Sequence, residues 1–261
     1  AYLYGHALSH NPKRAQWVNR DRFVLSAGHG SMLLYSALHL AGFGLTIDDL
    51  KKFRQLHSPT AGHPEYGEAH GIETTTGPLG QGLATATGIS LGQKMLAERH
   101  QLREKGLLNS TIYVLASDGC IMEGISSEAA SLAGHLGLDN LIVFYDSNDI
   151  CLDGPTSECL SEDTSARYQS YGWDVVTIDG HNLTEIHEAV ETGKKSSKPV
   201  LIIAKTTIGF GSPNKEGKET SHGSPIGEEE LLQAKEKLNW SPKISFEQLV
   251  KEMIKEDLKL I

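Results

Sequence analysis

Residues 111–147 read TIYVLASDGCIMEGISSEAASLAGHLGLDNLIVFYDS, two apolar runs separated by a stretch with helical character. The first run, 111–117, ends at a Ser-Asp-Gly sequence, and the second, 140–146, leads to Asn148. Continuous apolar strands joined through a helix are typical of a parallel sheet whose two faces are both covered. This segment therefore predicts an α/β fold.

The rest of the chain repeats the alternation of strand and helix. Further strands are expected at 23–28, 174–178 and 199–206. Two stretches rich in Gly, His, Pro and Ser or Thr, 57–82 and 209–225, are longer than most connections, and the first is either a functional loop or disordered. Helical patterns occupy 1–8, 32–43, 46–56, 83–104, 123–137, 161–171, 183–195 and 228–258. We expect a single α/β domain over 1–261, a parallel sheet with helices on both faces.

The composition limits the function classes. The chain is 39% hydrophobic and 22% charged, as in ordinary globular proteins. A formal net charge of −9 argues against non-specific nucleic-acid binding and against attraction to an anionic membrane. We see no membrane-spanning run and no signal peptide. The three cysteines form no C-x-x-C pair, which favours a reduced, cytoplasmic location. Because the sequence begins at Ala1 rather than at a methionine, an upstream targeting segment remains an alternative.

Asp118 and Asn148 follow two strands that are consecutive in the sequence. Ligands of open parallel sheets bind beyond the carboxyl ends of the strands, so these side chains would reach one ion if the strands are neighbours. A carboxylate and an amide oxygen suit Mg²⁺ or Ca²⁺ rather than Zn²⁺, and such magnesium sites are usually completed by water and phosphate. Gly119 would let a diphosphate approach the backbone at the start of the next helix.

Simpler interpretations exist for each of these residues. Asp-Gly after a strand is often only a turn, and Glu123 is compatible with an ordinary acid in the first turn of a helix. A dinucleotide site has little support, because 209–214, GFGSPN, lacks the third glycine of G-x-G-x-x-G. The residues alone predict an α/β domain with a magnesium–diphosphate site and leave its reaction open.

Longer stretches of the sequence resemble one enzyme family. SDGCIMEG and YDSNDI together resemble the thiamine-diphosphate motif, a Gly-Asp-Gly followed further along by an Asn-containing end. The segments NRDRFVLSAGHGSMLLYSALHLAG, AGHPEYGEAHGIETTTGPLGQG, SLAGHLGLDNLIVFYDSN and KTTIGFGS…SHGSPIG resemble transketolase, occur in the order of that family and cover nearly the whole chain. The resemblance implies the thiamine-diphosphate-binding domain that holds the diphosphate (the PP-type domain).

The resemblance implies a role for each residue around the diphosphate. Asp118, Asn148 and the backbone carbonyl of Ile150 would hold the Mg²⁺ or Ca²⁺ ion and, through it, the cofactor. Gly119 would contact the diphosphate. Glu123 would belong to the acidic network that links paired cofactor sites.

Other residues would contact the cofactor rings and the sugar. His29 would lie against the diphosphate and the reacting centre, His63 would bind the donor ketose, and His222 would reach both the cofactor and substrate hydroxyls. All three would serve as catalytic proton relays. The residues implied to hold the aminopyrimidine and thiazolium rings are Gly77, Pro78 and Leu79.

The implied reaction transfers a two-carbon ketol unit from a ketose phosphate to an aldose phosphate. The sequence departs from the family at Ser117, which replaces the first glycine of Gly-Asp-Gly, and the pyrimidine-binding and C-terminal domains are absent from 1–261. We therefore expect one half of a split transketolase, inactive without a separate chain that supplies those domains, in a heterotetramer with two copies of each. Exposed apolar surface along 83–98 would be needed for that assembly.

Three alternatives remain open. The chain could be a related synthase that uses thiamine diphosphate, of the deoxyxylulose-phosphate or dihydroxyacetone type. It could be a homologue that binds the cofactor without catalysis. A fragment of a full-length enzyme would have the same sequence.

Overall fold

A computed structural model describes residues 1–241, and its centre is a five-stranded parallel sheet. The strands are β1 (Arg22–Leu25), β2 (Ile112–Ser117), β3 (Leu141–Ser147), β4 (Asp174–Asp179) and β5 (Val200–Lys205). Their order across the sheet is β1-β2-β3-β5-β4, and each neighbouring pair is parallel. The predicted α/β fold is confirmed. The first strand is shorter than expected because Gly28–Gly30 turns into a short 3-10 helix.

Helices connect the strands on both sides of the sheet. In the described part of the chain the α-helices are α1 (Ser31–Leu40), α2 (Ile47–Lys51), α3 (Gln81–Arg99), α4 (Asp118–Met122), α5 (Gly124–His135), α6 (Thr164–Ser170), α7 (Leu183–Gly193) and α8 (Glu228–Lys237). The expected helix at 1–8 is a π-helical turn, Leu3–Ala7. The helix predicted over 228–258 ends at Lys237, and Asn239 soon after has a φ of 49°. The part of that prediction from residue 242 onward lies outside the described residues.

Two other helices also end earlier than their patterns predicted, and the backbone gives the reason. The predicted helix at 46–56 ends at Lys51, and Arg54 soon after has a φ of 62°. The predicted helix at 83–104 ends at Arg99, and Gln101 has a φ of 52°. Left-handed residues interrupt a right-handed helix, and apolar periodicity does not reveal them.

The central strands are covered on both faces. Consecutive residues Ile112, Tyr113 and Val114 of β2 are all fully buried. Because successive side chains of a strand point to opposite faces, burial of consecutive residues requires cover on each side. Helix α3 packs on β1, β2 and β3 and also on α5, whereas α6 and α7 contact β4.

The chain divides into two compact units, 1–207 and 208–261. The first unit contains the whole sheet and helices α1 to α7. The described part of the second contains α8, whose Glu230 accepts hydrogen bonds from the Ser212 hydroxyl and, at 2.7 Å, from the backbone N–H of Asn214. Those hydrogen bonds hold the pKa of Glu230 down, at about 2. The prediction of one domain over 1–261 stays a prediction.

No helix in the described range combines the length and the apolar composition that crossing a bilayer requires.

Candidate active site

The carboxyl ends of β2 and β3 lie side by side. Ser117 of β2 is in register with Asp146 of β3, and the two strands pair directly. Asp118 follows the end of β2 and begins α4, and Asn148 follows the end of β3. The expectation that the two strands are neighbours is confirmed, so Asp118 and Asn148 emerge at the same edge of the sheet.

Asp118 is a buried carboxylate with one oxygen paired and one unpaired. The side chain is 2% exposed, and Oδ1 accepts a hydrogen bond of 2.6 Å from the Tyr145 hydroxyl. Burial raises the pKa of Asp118, while Tyr145 and the backbone N–H of Asn148 act in the opposite direction. Burial and then the bond to Asp118 raise the pKa of Tyr145, so its hydroxyl keeps the proton that it donates.

The second oxygen of Asp118 tests whether a cation fits here. Oδ2 is buried and has no hydrogen-bond partner among the described residues. A buried carboxylate oxygen without a partner is costly unless a cation or donor from outside the chain compensates it. No group of three or more His, Cys, Asp or Glu side chains within 1–241 forms a metal cluster. One carboxylate plus neutral oxygens would be a donor set that Mg²⁺ and Ca²⁺ accept.

The turn after β3 fixes Asn148 and Ile150 relative to each other. Asn148 Oδ1 accepts a hydrogen bond of 3.1 Å from the Ile150 N–H. Asp149 between them has a φ of 61°, a left-handed conformation that Asp tolerates better than most residues. The Asp149 carbonyl accepts a hydrogen bond from the Thr156 N–H at 3.0 Å, and Ile150 forms an isolated antiparallel bridge with Pro155. The Ile150 peptide is therefore anchored from both sides.

Residues from three separate segments meet around Gly77 and Gly119. A Cβ placed on Gly119 would lie 2.8 Å from Leu79 Cδ1, and one on Gly77 would lie 3.5 Å from the His63 ring. A Cβ on Gly28 would lie 2.8 Å from the Gly77 nitrogen. These approaches bring the turn after β1, the 57–82 loop and the start of α4 together. A side chain at Gly119 would displace Leu79.

The start of α3 is packed against the connection between α4 and α5. Gly80 precedes α3 with a φ of 79°, and a Cβ there would lie 2.8 Å from the Cβ of Glu123. The Ser26 hydroxyl accepts a hydrogen bond of 3.1 Å from the Leu83 N–H in the first turn of α3. Glu123 itself is exposed. Pro78, in the same loop, is also exposed.

The three predicted catalytic histidines divide between the two units. His29 is half-buried in the turn Gly28–Gly30, and His63 is exposed beside Gly77; both belong to the first unit. His222 belongs to the second unit, follows the turn Glu219–Ser221 and donates its N–H to the Glu219 carbonyl at 2.8 Å. Their roles in catalysis stay predictions.

Sequence reasoning missed two polar residues of this site. Tyr145 was read only as part of an apolar strand, although a tyrosine three positions before Asn148 was an available signal. Thr76 Oγ1 is buried without a hydrogen-bond partner in the described structure and lies 2.8 Å from where a Cβ of Gly28 would be. The repeated threonines of 74–76 gave no indication of which one is buried.

Comparison with known proteins identifies the family. The model for "Transketolase, thiamine diphosphate binding domain" matches residues 1–259. Transketolase 1 of Vibrio vulnificus (strain YJ016) is 55% identical over 237 residues, which are 90% of this chain and 36% of that protein. Transketolase 1 of Vibrio cholerae serotype O1 is 53% identical over 240 residues, again 36% of its length.

Solved structures show the same fold. The transketolase of Campylobacter jejuni matches with a TM-score of 0.87 and 50% identity, over 94% of this chain and 38% of that one. The transketolase of Leishmania mexicana matches with a TM-score of 0.89 and 43% identity, over 93% of this chain and 36% of that one.

The chain spans 36% of the length of the curated relatives that it matches, and the match covers almost all of this chain. The resemblance read from the sequence is thereby confirmed. This chain belongs to the transketolase family, as its thiamine-diphosphate-binding, N-terminal part.

Proposed function

We propose that this chain holds thiamine diphosphate for a transketolase reaction, the transfer of a two-carbon ketol unit from a ketose phosphate to an aldose phosphate. The observation that supports it best is the unpaired, buried Oδ2 of Asp118, at the sheet edge shared with Asn148. Gly119 beside it leaves the backbone open to a diphosphate. The family match supplies the identity of the cofactor.

The proposed ion ligands are Asp118, Asn148 and the Ile150 carbonyl, with Mg²⁺ the preferred ion and Ca²⁺ compatible with the same oxygens. Such an ion would neutralise the Asp118 carboxylate and fix the diphosphate. The hydrogen bond from the Ile150 N–H to Asn148 Oδ1 orients both residues before any ion arrives. That preorganisation is consistent with an ion that anchors the cofactor rather than one that activates the sugar.

The proposed ring-binding surface is formed by the loop before α3. Leu79 packs over Gly119, and Gly77 approaches His63, so the loop spans the distance between the diphosphate side and the substrate side of the site. Pro78 lies between these two residues. When bound, the cofactor supplies the electron sink that cleavage of the ketose carbon–carbon bond requires.

Proton movement is assigned to histidines. His63 is exposed and would donate to or accept from hydroxyls of the ketose, and His29 lies in the turn next to Gly28, which approaches Gly77. A neutral imidazole near pH 7 can give and take protons at each step. The assignment of His222 rests on the family resemblance. Glu123 is proposed to contact the acidic network of a second cofactor site.

A second chain, carrying pyrimidine-binding and C-terminal domains, is proposed as the partner in a cytoplasmic heterotetramer. The observation that supports this proposal is a set of exposed apolar side chains on α3 and at the end of α5, two helices that pack on each other. Met95 and Leu96 of α3, Leu132 of α5 and Leu136 directly after α5 are 38% to 55% exposed. Apolar side chains grouped on a helical face are typical of a protein interface.

Titration calorimetry of thiamine diphosphate binding tests the cofactor assignment. In the presence of Mg²⁺ we expect Asp118→Asn to weaken binding at least about tenfold, because a neutral amide replaces the only carboxylate among the proposed ligands. Asp153→Asn, which removes the same charge from an exposed loop position, should bind like the unaltered chain. Equal magnesium-dependent affinity in the Asp118 variant would refute the metal site.

Activity requires the proposed partner. Mixing this chain with a chain that carries the pyrimidine-binding portion should produce ketol transfer between sugar phosphates, and neither chain alone should do so. Donor and acceptor assays separate transketolase from the related synthases. Cofactor binding without transfer by any mixture would favour a non-catalytic homologue.

A further inference from the structure

Two cysteine sulfurs lie together in the loop that follows the proposed metal ligands. Cys151 Sγ and Cys159 Sγ are 3.8 Å apart, and both thiols are free. Cys159 is exposed and Cys151 is partly exposed, whereas Cys120 is fully buried. The first two are accessible to small oxidants, and the third is not.

The loop itself holds the two sulfurs near each other. The Cys151 N–H donates to the Gly154 carbonyl at 2.7 Å, and the Cys159 N–H donates to the Thr156 carbonyl at 3.0 Å. The Thr156 N–H in turn donates a hydrogen bond to the Asp149 carbonyl at 3.0 Å. These hydrogen bonds order the backbone at both cysteines of the turn.

We propose that Cys151 and Cys159 form a reversible disulfide and are a redox modification site of this chain. A disulfide needs a sulfur–sulfur distance of about 2.05 Å, so the two sulfurs must approach by roughly 1.8 Å. Rotation about χ1 of the exposed Cys159 would supply part of that movement and would exchange its contacts with the Thr156 carbonyl, at 3.5 Å, and Met122 Sδ, at 3.8 Å, for the new bond. Exposed disulfides of this kind are usually labile rather than structural.

The chemistry balances with a peroxide as oxidant. The Cys159 thiolate, whose proton has passed to the solvent, attacks one peroxide oxygen and the O–O bond breaks. A sulfenic acid forms, and the departing hydroxide takes up that proton as one water. The Cys151 sulfur then attacks the Cys159 sulfur, the S–O bond breaks, and the departing hydroxide takes the remaining proton as a second water. Two thiols are oxidised to one disulfide while hydrogen peroxide is reduced to two waters. A low-molecular-weight thiol reverses the bond by exchange.

The proposed disulfide adjoins Ile150 and should therefore weaken cofactor binding, a consequence that rests on the proposed function. The carbonyl of Ile150, a proposed ion ligand, belongs to the same peptide group as the nitrogen of Cys151. Pulling Cys151 toward Cys159 would turn that peptide group and lengthen the contact to the ion. The oxidised chain should therefore bind thiamine diphosphate with Mg²⁺ several-fold more weakly than the reduced chain, and thiol treatment should restore the affinity.

Mass spectrometry of the full chain after hydrogen peroxide treatment tests the bond directly. The intact mass should fall by about 2 Da and two of the three thiols should become unreactive. Trypsin leaves all three cysteines on one peptide, since there is no Lys or Arg between Lys105 and Arg167. Cleavage next to Asp153 and Glu158 separates the two cysteines, so joined peptides that part on reduction identify the pair.

Matched variants make the result specific. Cys120→Ala should keep the cross-link, and Cys159→Ser should lose it. Retention of three reactive thiols under peroxide would overturn the proposal, as would a gain of about 32 Da on Cys159 alone, the sulfinic acid. Oxidation of Met122, whose Sδ lies 3.8 Å from Cys159 Sγ, adds about 16 Da and is distinguished by its own peptide.

The affinity measurement separates the two parts of the proposal. A cross-link with weakened cofactor binding supports both parts. A cross-link with unchanged magnesium-dependent affinity keeps the modification site and overturns its link to Ile150. If neither the oxidised nor the reduced chain binds the cofactor, the proposed function fails while the mass result still stands.

Discussion

The Tyr145 hydroxyl is the hydrogen-bond partner of Asp118 Oδ1, at 2.6 Å. Tyr145→Phe should lower the free energy of unfolding by about 1–3 kcal/mol, because it leaves a second buried oxygen of that carboxylate unpaired. Urea denaturation of the chain without cofactor measures the change. Tyr168→Phe is the matched control, since the Tyr168 hydroxyl is buried without a hydrogen-bond partner in the described structure and should be lost at little cost. Equal effects of the two variants would contradict the role assigned to Tyr145.

At the scale of single residues, the sequence predicted which polar residues converge at the strand ends, but it did not predict their hydrogen-bond partners. Asp118 and Asn148 could be predicted as a pair because each follows an apolar run, and strand ends converge in a parallel sheet. The contribution of Tyr145 depends on which face of β3 its side chain occupies and on the register with β2. Neither is readable from a run in which residues on both faces are buried. The proximity of Cys151 to Cys159 depends on a turn that includes left-handed Asp149 and could not be foreseen either.

Gly80, which caps the start of helix α3, and Gly88, within the helix, are in opposite situations. Gly80, at its start, has a φ of 79°, and a Cβ there would lie 2.8 Å from both Glu123 Cβ and Ser126 Oγ. Gly88 lies mid-helix in open space, with nothing within 4 Å of an added Cβ. The start of α3 therefore requires glycine at position 80, whereas the helix only tolerates glycine at position 88.

Alanine at these two positions should change stability in opposite directions. Gly80→Ala should lower the free energy of unfolding by about 1–3 kcal/mol, because it combines a disfavoured φ with overpacking. Gly88→Ala should raise it by about 0.5–1 kcal/mol, since alanine loses less backbone entropy in an exposed helical position. Urea titrations of both variants give the comparison. A stabilising Gly80→Ala would mean that α3 can begin elsewhere and that its contact with Glu123 is not fixed.

The presence of the strands and longer helices was predictable from apolar runs, but the residues at which they end were not. All five strands were expected, because runs rich in Val, Ile and Leu are typical of the strands of a parallel sheet. The predicted helices of 46–56 and 83–104 stopped early at left-handed residues. The short α4 lies before the helix expected at 123–137 and was not predicted, because five residues are too few to show a helical period.

At the scale of the whole molecule, the strand order is what the sequence could not supply. The chain passes from β3 to β4 at the edge of the sheet and returns to β5 between them. One signal was present in the sequence, since β4 has polar residues at both ends, as is typical of an edge strand. In the structure the side chains of β4 are largely exposed, while β5 is buried along most of its length. That arrangement leaves β2 and β3 adjacent and so places Asp118 beside Asn148.

Because the proposed site draws on the turn after β1, the loop before α3 and the ends of β2 and β3, cofactor binding should stabilise the whole first unit. A ligand that binds only the folded state, present at a hundred times its dissociation constant, adds about 2.7 kcal/mol. For a unit of this size that corresponds to a rise in Tm of roughly 5–10 °C. Differential scanning calorimetry with thiamine diphosphate and Mg²⁺ should show the rise, and EDTA should abolish it. A rise that survives EDTA, or that persists in Asp118→Asn, would mean that the diphosphate is held without the ion and that the unpaired Asp118 oxygen has another purpose.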